Sequence, residues 1–440
     1  MTDGRNILMA MFQGGGNIPQ LLPIVTRLVM LGHRVRVLVG PGVRRSRLPV
    51  SEHLLQSLHA TGAQILRLRE PEVHPWDTVP STHGVLLGWT PKAFHWVEQE
   101  ARAQLWLPHW AHEVAAELRR DPADVLVADF VLVGALVAAE AVGVPTAALF
   151  HALSPRPIPG SPPYGPGWLP AVSLAGRLRD ATGTFVVNRL YAQEALPSLN
   201  QARTRLGMPP LRWYFTQYDR TTRVVALMSP HFDFPSQEMP PNVRLVGTPL
   251  DEVKLAPWTP PWSTAERQPR LLVSLSTLNQ GQTPLMERIL TALASLPVRA
   301  VVTLGPALAA SQFTPPSNVT LETFVPHGAV LPHVDAMVTQ CGLGTVMKAL
   351  AHGVPLVCIP LVGDQPDNAA RVVVCGAGLR VPADAPHSRI REAIQRVVTD
   401  PSFRHAAQQL ATKMAGEDPV QAAADEIVSL TEKRPEHAAG

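Results

Sequence analysis

One pattern occurs repeatedly in this chain and few folds accept it: a short apolar run, a turn, a helix-patterned stretch and another apolar run. Its first copy opens the sequence. Residues 5–12 (RNILMAMF) read as a buried strand, and Gly14-Gly15-Gly16-Asn17 follow as a turn. Residues 19–31 read as a helix with Pro19 and Pro23 near its first turn and Gly32 as its stop, and residues 34–40 (RVRVLVG) as the next strand. The pattern returns at 124–130, 135–142 and 145–150. In the second half, strands are expected at 270–276, 299–304, 319–325, 336–339 and 355–361. Helices at 284–296, 345–352, 366–375 and 388–399 alternate with them, and a helical segment at 419–430 ends the chain. Such alternation predicts an α/β protein of two consecutive doubly wound domains.

Proline places the boundaries. The chain has 45 prolines in 440 residues, about twice the usual share. One cluster is 154–170 (SPRPIPGSPPYGPGWLP) and the other 248–269; neither can be a helix or a central strand. The first reads as a functional loop, the second as an interdomain linker. The expected division is a first domain at 1–248, a linker at 249–269, a second domain at 270–415 and a terminal helical segment at 416–440.

Composition removes several classes. A 46% hydrophobic and 17% charged chain is globular. Lys and Arg number 38 against 35 Asp and Glu, net +3, with no basic stripe, so nucleic acid is not an expected partner. Cys341, Cys358 and Cys375 lack the spacing of a disulfide framework or a zinc site. The apolar run 125–150 is broken by Asp129, Glu140, Gly143 and Pro145, which suits buried strands and a helix better than a membrane span. With no signal pattern at the N-terminus, the expectation is a cytoplasmic protein. The aromatics are uneven: all nine Trp and all four Tyr precede residue 263, and five Trp fall within 76–110. That imbalance fits either Trp used as packing by loops over the first domain or an apolar, aromatic acceptor pocket there, with the loop 154–170 at its mouth.

The most specific segment is 324–371, FVPHGAVLPHVDAMVTQCGLGTVMKALAHGVPLVCIPLVGDQPDNAAR. A strand runs into Gln340-Cys341-Gly342-Leu343-Gly344-Thr345, where a helix begins. Glycines let backbone N–H groups approach an anion, and a helix N-terminus adds about half a positive charge. Together they form a diphosphate cradle that needs no metal. Asp364 and Gln365 follow the next strand, at a sheet edge where they can bind sugar hydroxyls.

These residues resemble the nucleotide-sugar motif of the GT-B glycosyltransferases, specifically the family-1 enzymes of bacteria that decorate polyketides, macrolides and other natural products. The similarity covers nearly the whole chain. It implies two Rossmann-like domains facing each other across a cleft, the acceptor on the first and a nucleoside-diphosphate sugar mainly on the second. It further implies that the last helix returns to the first domain. Carried over, Phe324 would stack on the base and the Val325 backbone would read its edge. Ser276, Thr277, Gln340, Gly342, Gly344 and Thr345 would hold the diphosphate, and Asp364 with Gln365 the sugar. Gly16, Trp76, Trp89, Trp96 and Tyr164 are the acceptor-side candidates. No cofactor is expected beyond the sugar nucleotide, and the chain would work as a monomer or homodimer.

Two positions depart from the family. Asn17 stands where a histidine usually acts as general base, and an amide cannot take a proton at neutral pH. Gln340 and Cys341 replace the His-Gly that opens the diphosphate turn, so a donor remains without charge and a side chain enters where glycine allowed close approach. Compensation is expected from the same sheet edge, where Asp129 and His151 end neighbouring strands. A carboxylate is ionised at neutral pH and an imidazole titrates near it, so Asp129, alone or through His151, is the candidate base, with Asn17 orienting the acceptor.

The leading expectation is an inverting transferase that moves a sugar from a dTDP- or UDP-sugar to a hydroxyl of a hydrophobic polyketide, macrolide or phenolic acceptor. The alternatives are a silent relative that binds without transfer, and a sugar-nucleotide epimerase, which would have no use for a Trp-rich first domain.

Overall fold

The computed structural model describes residues 4–13, 18–42, 52–68, 90–235, 239–250, 258–263, 265–276 and 280–432. Its strands form two fully parallel sheets. The first contains β1 (Asn6–Gln13), β2 (Arg34–Gly42), β3 (Gln64–Arg67), β4 (Val125–Asp129), β5 (Thr146–Phe150), β6 (Arg223–Ala226) and β7 (Val243–Leu245), in the order β3-β2-β1-β4-β5-β6-β7. The second contains β8 (Arg270–Ser274), β9 (Arg299–Thr303), β10 (Val319–Glu322), β11 (Ala336–Thr339), β12 (Leu356–Cys358) and β13 (Gly378–Arg380), in the order β10-β9-β8-β11-β12-β13. Both orders reverse direction beside their first strand. In such sheets ligands bind outside the carboxyl ends of the strands flanking the reversal. For the first sheet those strands are β1 and β4, and for the second β8 and β11.

The central strands are buried on both faces: every residue of β4 and β5 lies in the interior. That is why they were visible as apolar runs. The edge strands β3 and β7 have only half-buried and exposed positions and β13 a single buried one, so their sequences show no apolar run and they went unassigned. The long helix Leu174–Glu194 was also missed, because the apolar residues of that helix do not gather on one face.

Three further features depart from expectation. Of the five Trp within 76–110, Trp106 and Trp110 are buried in the first domain's core, at 6% and 5% exposure. They pack the helix Leu107–Arg120 against Val133–Val142 rather than lining a pocket. Trp258 and Trp262, in the Pro-rich linker, pack on each other at 5.9 Å and on His333 and Arg270 of the second domain. The helix at the diphosphate turn starts at Leu343 and not at Thr345, because Gly342 takes the extended N-cap conformation and the buried Leu343 side chain anchors the first turn.

The terminal helix Pro419–Glu432 lies on the first sheet. Ala423, Ala424, Ile427 and Leu430 join Ile7, Leu21 and Ile24 in one buried cluster, and Glu426 pairs with Arg223 at 2.8 Å. Another cluster mixes Leu153, Met228 and Phe232 with Val325, Met347 and Leu350 of the second half, so the halves share a core. No helix among the described residues is long and apolar enough to cross a membrane.

The helices Leu107–Arg120 and Val133–Val142 approach closely at Gly134, where a Cβ would stand 2.3 Å from the Leu107 carbonyl oxygen. Gly134→Ala should therefore cost about 1–3 kcal/mol, read as a lower urea midpoint with an unchanged slope.

Candidate functional site

The two switch points face one cleft. On the first-domain side, β4 ends in Asp129 and β5 is followed by His151. Registry between the strands sets Asp129 beside Leu149, and the His151 ring reaches back so that Nε2 lies 3.2 and 3.3 Å from the two Asp129 oxygens. Asp129 is 1% exposed and its Oδ1 also accepts the Val131 N–H at 3.2 Å. The Phe130 ring meets the imidazole edge-on at 5.0 Å. A carboxylate can only accept, so a neutral His151 must donate from Nε2, which leaves the lone pair on Nδ1. Asn17 and Gly16 lie outside the described residues, as do Trp76, Trp89 and Thr277.

On the second-domain side, β11 leads through Gln340 and Cys341 into the helix Leu343–Ala351. Gly344 and Thr345 therefore sit in its first turn, whose N–H groups have no intrahelical acceptor. Gln340 is buried and its Oε1 accepts the Thr339 hydroxyl at 3.1 Å. Cys341 is the only non-glycine residue with positive φ among those described, at 71°, and it is fully buried. Its thiol points into the core, so it does not obstruct the turn as expected. Its effect is backbone strain of about 1–3 kcal/mol. Asn368 holds this turn by donating to the Cys341 carbonyl oxygen at 2.9 Å.

The donor pair opens the helix Gln365–Val374, with Asp364 as its N-cap residue. Asp364 Oδ2 accepts from Asn368 Nδ2 at 3.0 Å and from the Leu153 N–H at 3.3 Å. Leu153 follows His151 by two residues, so the Asp129–His151 pair and Asp364 share one corner of the cleft. Gln365 Oε1 accepts the N–H groups of Leu361 and Val362 at 2.9 and 3.0 Å, while Nε2 donates to Gln280. Its side chain shapes the loop after β12. Ser276 is buried and its carbonyl accepts from Gln282. Phe324 is 75% exposed, a free face for stacking, while Val325 is buried in the shared core.

Of the acceptor-side candidates described, Trp96 is 37% exposed and its indole lies against Gly363 of the loop preceding Asp364. Tyr164 donates to Glu100 Oε2 at 3.0 Å. Burial pushes the Glu100 carboxyl up to about 7, opposed by the Tyr164 hydroxyl and reinforced by Asp364 and Asp367. Burial likewise pushes Asp367 up to about 7, against the Gly165 N–H and Arg371. Burial also raises Asp364, with Asn368, Leu153 and His151 opposing.

Sequence reasoning missed Gln20. It lies on the first turn of the helix Ile18–Met30, is 5% exposed, and presents its amide so closely to Gly344 that a Cβ there would be 2.5 Å from Nε2. Its Oε1 has no partner among the described residues. A polar residue in a helix's first turn is unremarkable in sequence; only the approach of the second domain gives it meaning.

Residues 287–430 match the family described as erythromycin biosynthesis protein CIII-like, C-terminal domain. The chain is 32% identical to 4'-demethylrebeccamycin synthase of Lentzea aerocolonigenes over 97% of its own length and all of the relative's. Among solved structures it resembles the calicheamicin glycosyltransferase CalG4, with a TM-score of 0.72 at 22% identity over 98% and 99% of the two chains. It also resembles the glycosyltransferase VinC, solved in complex with dTDP, with a TM-score of 0.67 at 20% identity over 97% and 99%.

Two outcomes follow from this geometry. Cys341→Gly should be more stable than Cys341→Ala by about 1 kcal/mol, since both delete the thiol and only glycine is relaxed at φ 71°. Denaturation midpoints of the pair would reveal the ordinary order, alanine above glycine, if the strain is absent. Second, the folded state holds Asp367 near 7 while an unfolded aspartate titrates near 4. Its stabilising contribution is complete below about pH 4 and is lost as pH rises through 7. Wild type should therefore lose stability relative to Asp367→Asn across that interval, and parallel profiles would contradict the shift.

Proposed function

This chain belongs to the GT-B natural-product glycosyltransferases, and from that membership we propose that it moves a sugar from a dTDP- or UDP-sugar to a hydroxyl of a hydrophobic small molecule. Nothing observed favours the silent alternative. The observation that carries the proposal is the shared corner: Asp129–His151 from the first sheet and Asp364 from the second, joined through Leu153. An acceptor hydroxyl at that corner has a proton acceptor on one side and the donor sugar on the other.

In this reading the acceptor oxygen attacks the anomeric carbon opposite the diphosphate. The new C–O bond forms as the sugar–phosphate bond breaks, and the diphosphate leaves with the electron pair. His151 Nδ1 takes the acceptor proton while Asp129 stabilises the imidazolium. Asn17 orients the acceptor. The growing charge on the diphosphate is met by the first turn of Leu343–Ala351, with Gln20 adding a donor from across the cleft, so the reading requires no metal. The relatives' names point to natural-product acceptors, and a planar phenol is the acceptor class we assign here. Three free thiols suit a chain working in a reducing, cytoplasmic setting.

The test is turnover of a phenolic acceptor with dTDP- and UDP-glucose. His151→Ala and Asp129→Ala should each lower kcat by about 10²–10⁴-fold, and added EDTA should change nothing. Full activity in both variants would remove the dyad from the mechanism. Phenols, with a pKa near 10, should outpace aliphatic alcohols. Gln365→Ala should cut turnover while bare nucleotide binding stays nearly unchanged; an equal loss of both would overturn its assignment to the sugar side.

A further inference from the structure

The transfer mechanism makes no use of the proline-rich segment that follows His151, yet this segment is the most heavily tied connection between the two halves. The Gly165 and Gly167 N–H groups donate to the two oxygens of Asp367, at 2.7 and 3.0 Å. Arg380 donates to the Gly167 carbonyl oxygen. Both glycines have positive φ, at 109° and 63°. A Cβ on Gly167 would stand 2.3 Å from the Pro366 carbonyl oxygen, and one on Gly165 would stand 2.5 Å from Val97 Cγ2. The backbone is thus wedged between the helix His95–Arg102 of the first half and Gln365–Val374 of the second. On the first-half side, Tyr164 is bonded to Glu100, and Trp168 packs edge-on against Phe94 at 5.8 Å. The segment is a strap gripped from both domains.

Asp367 is the grip on the donor side. It is 6% exposed. The charged groups around it are Arg371, one turn along the same helix and ion-paired to Asp233 at 2.9 Å, Asp364 at the helix start, and Glu100 from the first domain. Two of these three repel it. A carboxylate kept in so unfavourable a place is there for its geometry, because only a carboxylate offers two acceptor oxygens side by side without a donor, and Asp carries it on the shorter stem. Its neighbours Asp364 and Gln365 are the donor pair, and the strap's other end is His151.

We propose that Asp367 is a positioning residue for the transfer: by holding Gly165 and Gly167 it locks the strap to the sugar-binding turn, so that His151 and Asp364 keep one fixed separation. The inference rests on the proposed function only in taking His151 and Asp364 as the two sides of the reaction. The strap itself stands on geometry alone.

The experiment compares Asp367→Asn, Asp367→Ala and Gly167→Ala, the last breaking the same contact from the strap's side. Amide hydrogen exchange of residues 160–170 is measured in the unliganded proteins, with affinity for dTDP and UDP alone, and kcat and KM on the phenolic acceptor. Exchange at Gly165 and Gly167 should accelerate in every variant. Affinity for the bare nucleotides should stay within about twofold, while kcat should fall about 10–100-fold, the scale of a displacement near 1 Å, with KM for the donor changing less. Unchanged exchange, or unchanged kcat despite faster exchange, overturns the proposal. So does a loss of nucleotide affinity as large as the loss of kcat, which would make Asp367 part of donor binding. Should Asp367→Ala fail to fold, Asp367→Asn keeps one acceptor oxygen and carries the comparison. A wild type that binds neither nucleotide would sink the proposed function, and exchange in the unliganded variants would still decide the strap.

Discussion

The first turn of the helix Gln365–Val374 carries more obligations than any other piece of this structure, and the cleft depends on it. Asp364 accepts from Leu153, Gln365 organises the loop before it, Asp367 holds the strap and Asn368 holds the turn after β11, while Arg371 one turn further on pairs with Asp233. Several of these contacts cross from one half of the chain to the other. A parallel strand delivers its following helix to the carboxyl edge of the sheet, so β12 brings this turn to the cleft. The helix N-terminus makes the concentration of carboxylates there tolerable, because its partial positive charge offsets part of their repulsion.

Across the cleft, the turn proposed to receive the diphosphate presents uncharged groups among the described residues. The first turn of Leu343–Ala351 supplies N–H groups, Gln340 replaces what would be a cationic histidine, and Gln20 approaches from the other domain. What stabilises the turn is indirect. Cys341 accepts a left-handed backbone, its thiol is absorbed by the core, and its carbonyl is fixed by Asn368. A strained residue survives only where its surroundings over-determine it. Here a buried amide and a close-packed core do so.

The electrostatics of the cleft differ on its two sides. Burial is the dominant cause of the raised carboxyls of Glu100, Asp364 and Asp367; Asp364 and Asp367 further raise Glu100, and Asp364 further raises Asp367. His151 faces this trio and already bonds Asp129. The Asp129–His151 pair is the substitute we propose for the histidine missing near residue 17.

Much of this was legible in the sequence. Central strands showed as apolar runs because both of their faces are buried, and the strand–turn–helix at residues 336–351 showed because its glycines mark a tight turn into a helix. Asp129 and His151 were paired correctly in space because ends of neighbouring parallel strands must share an edge. Edge strands β3, β7 and β13 escaped, being half exposed and short. Trp106 and Trp110 were misassigned because a tryptophan that fills a core and one that lines a pocket have the same neighbours in sequence. The amino-acid sequence by itself determined two consecutive doubly wound domains and which side chains stand at the carboxyl ends of their central strands, because these follow from local periodicity and turn chemistry. Only the tertiary structure decided that Gln20 faces Gly344, that Cys341 turns its thiol inward, and that Asp367 receives the strap. Those contacts join residues far apart in the chain, and no local pattern encodes the distance between two domains.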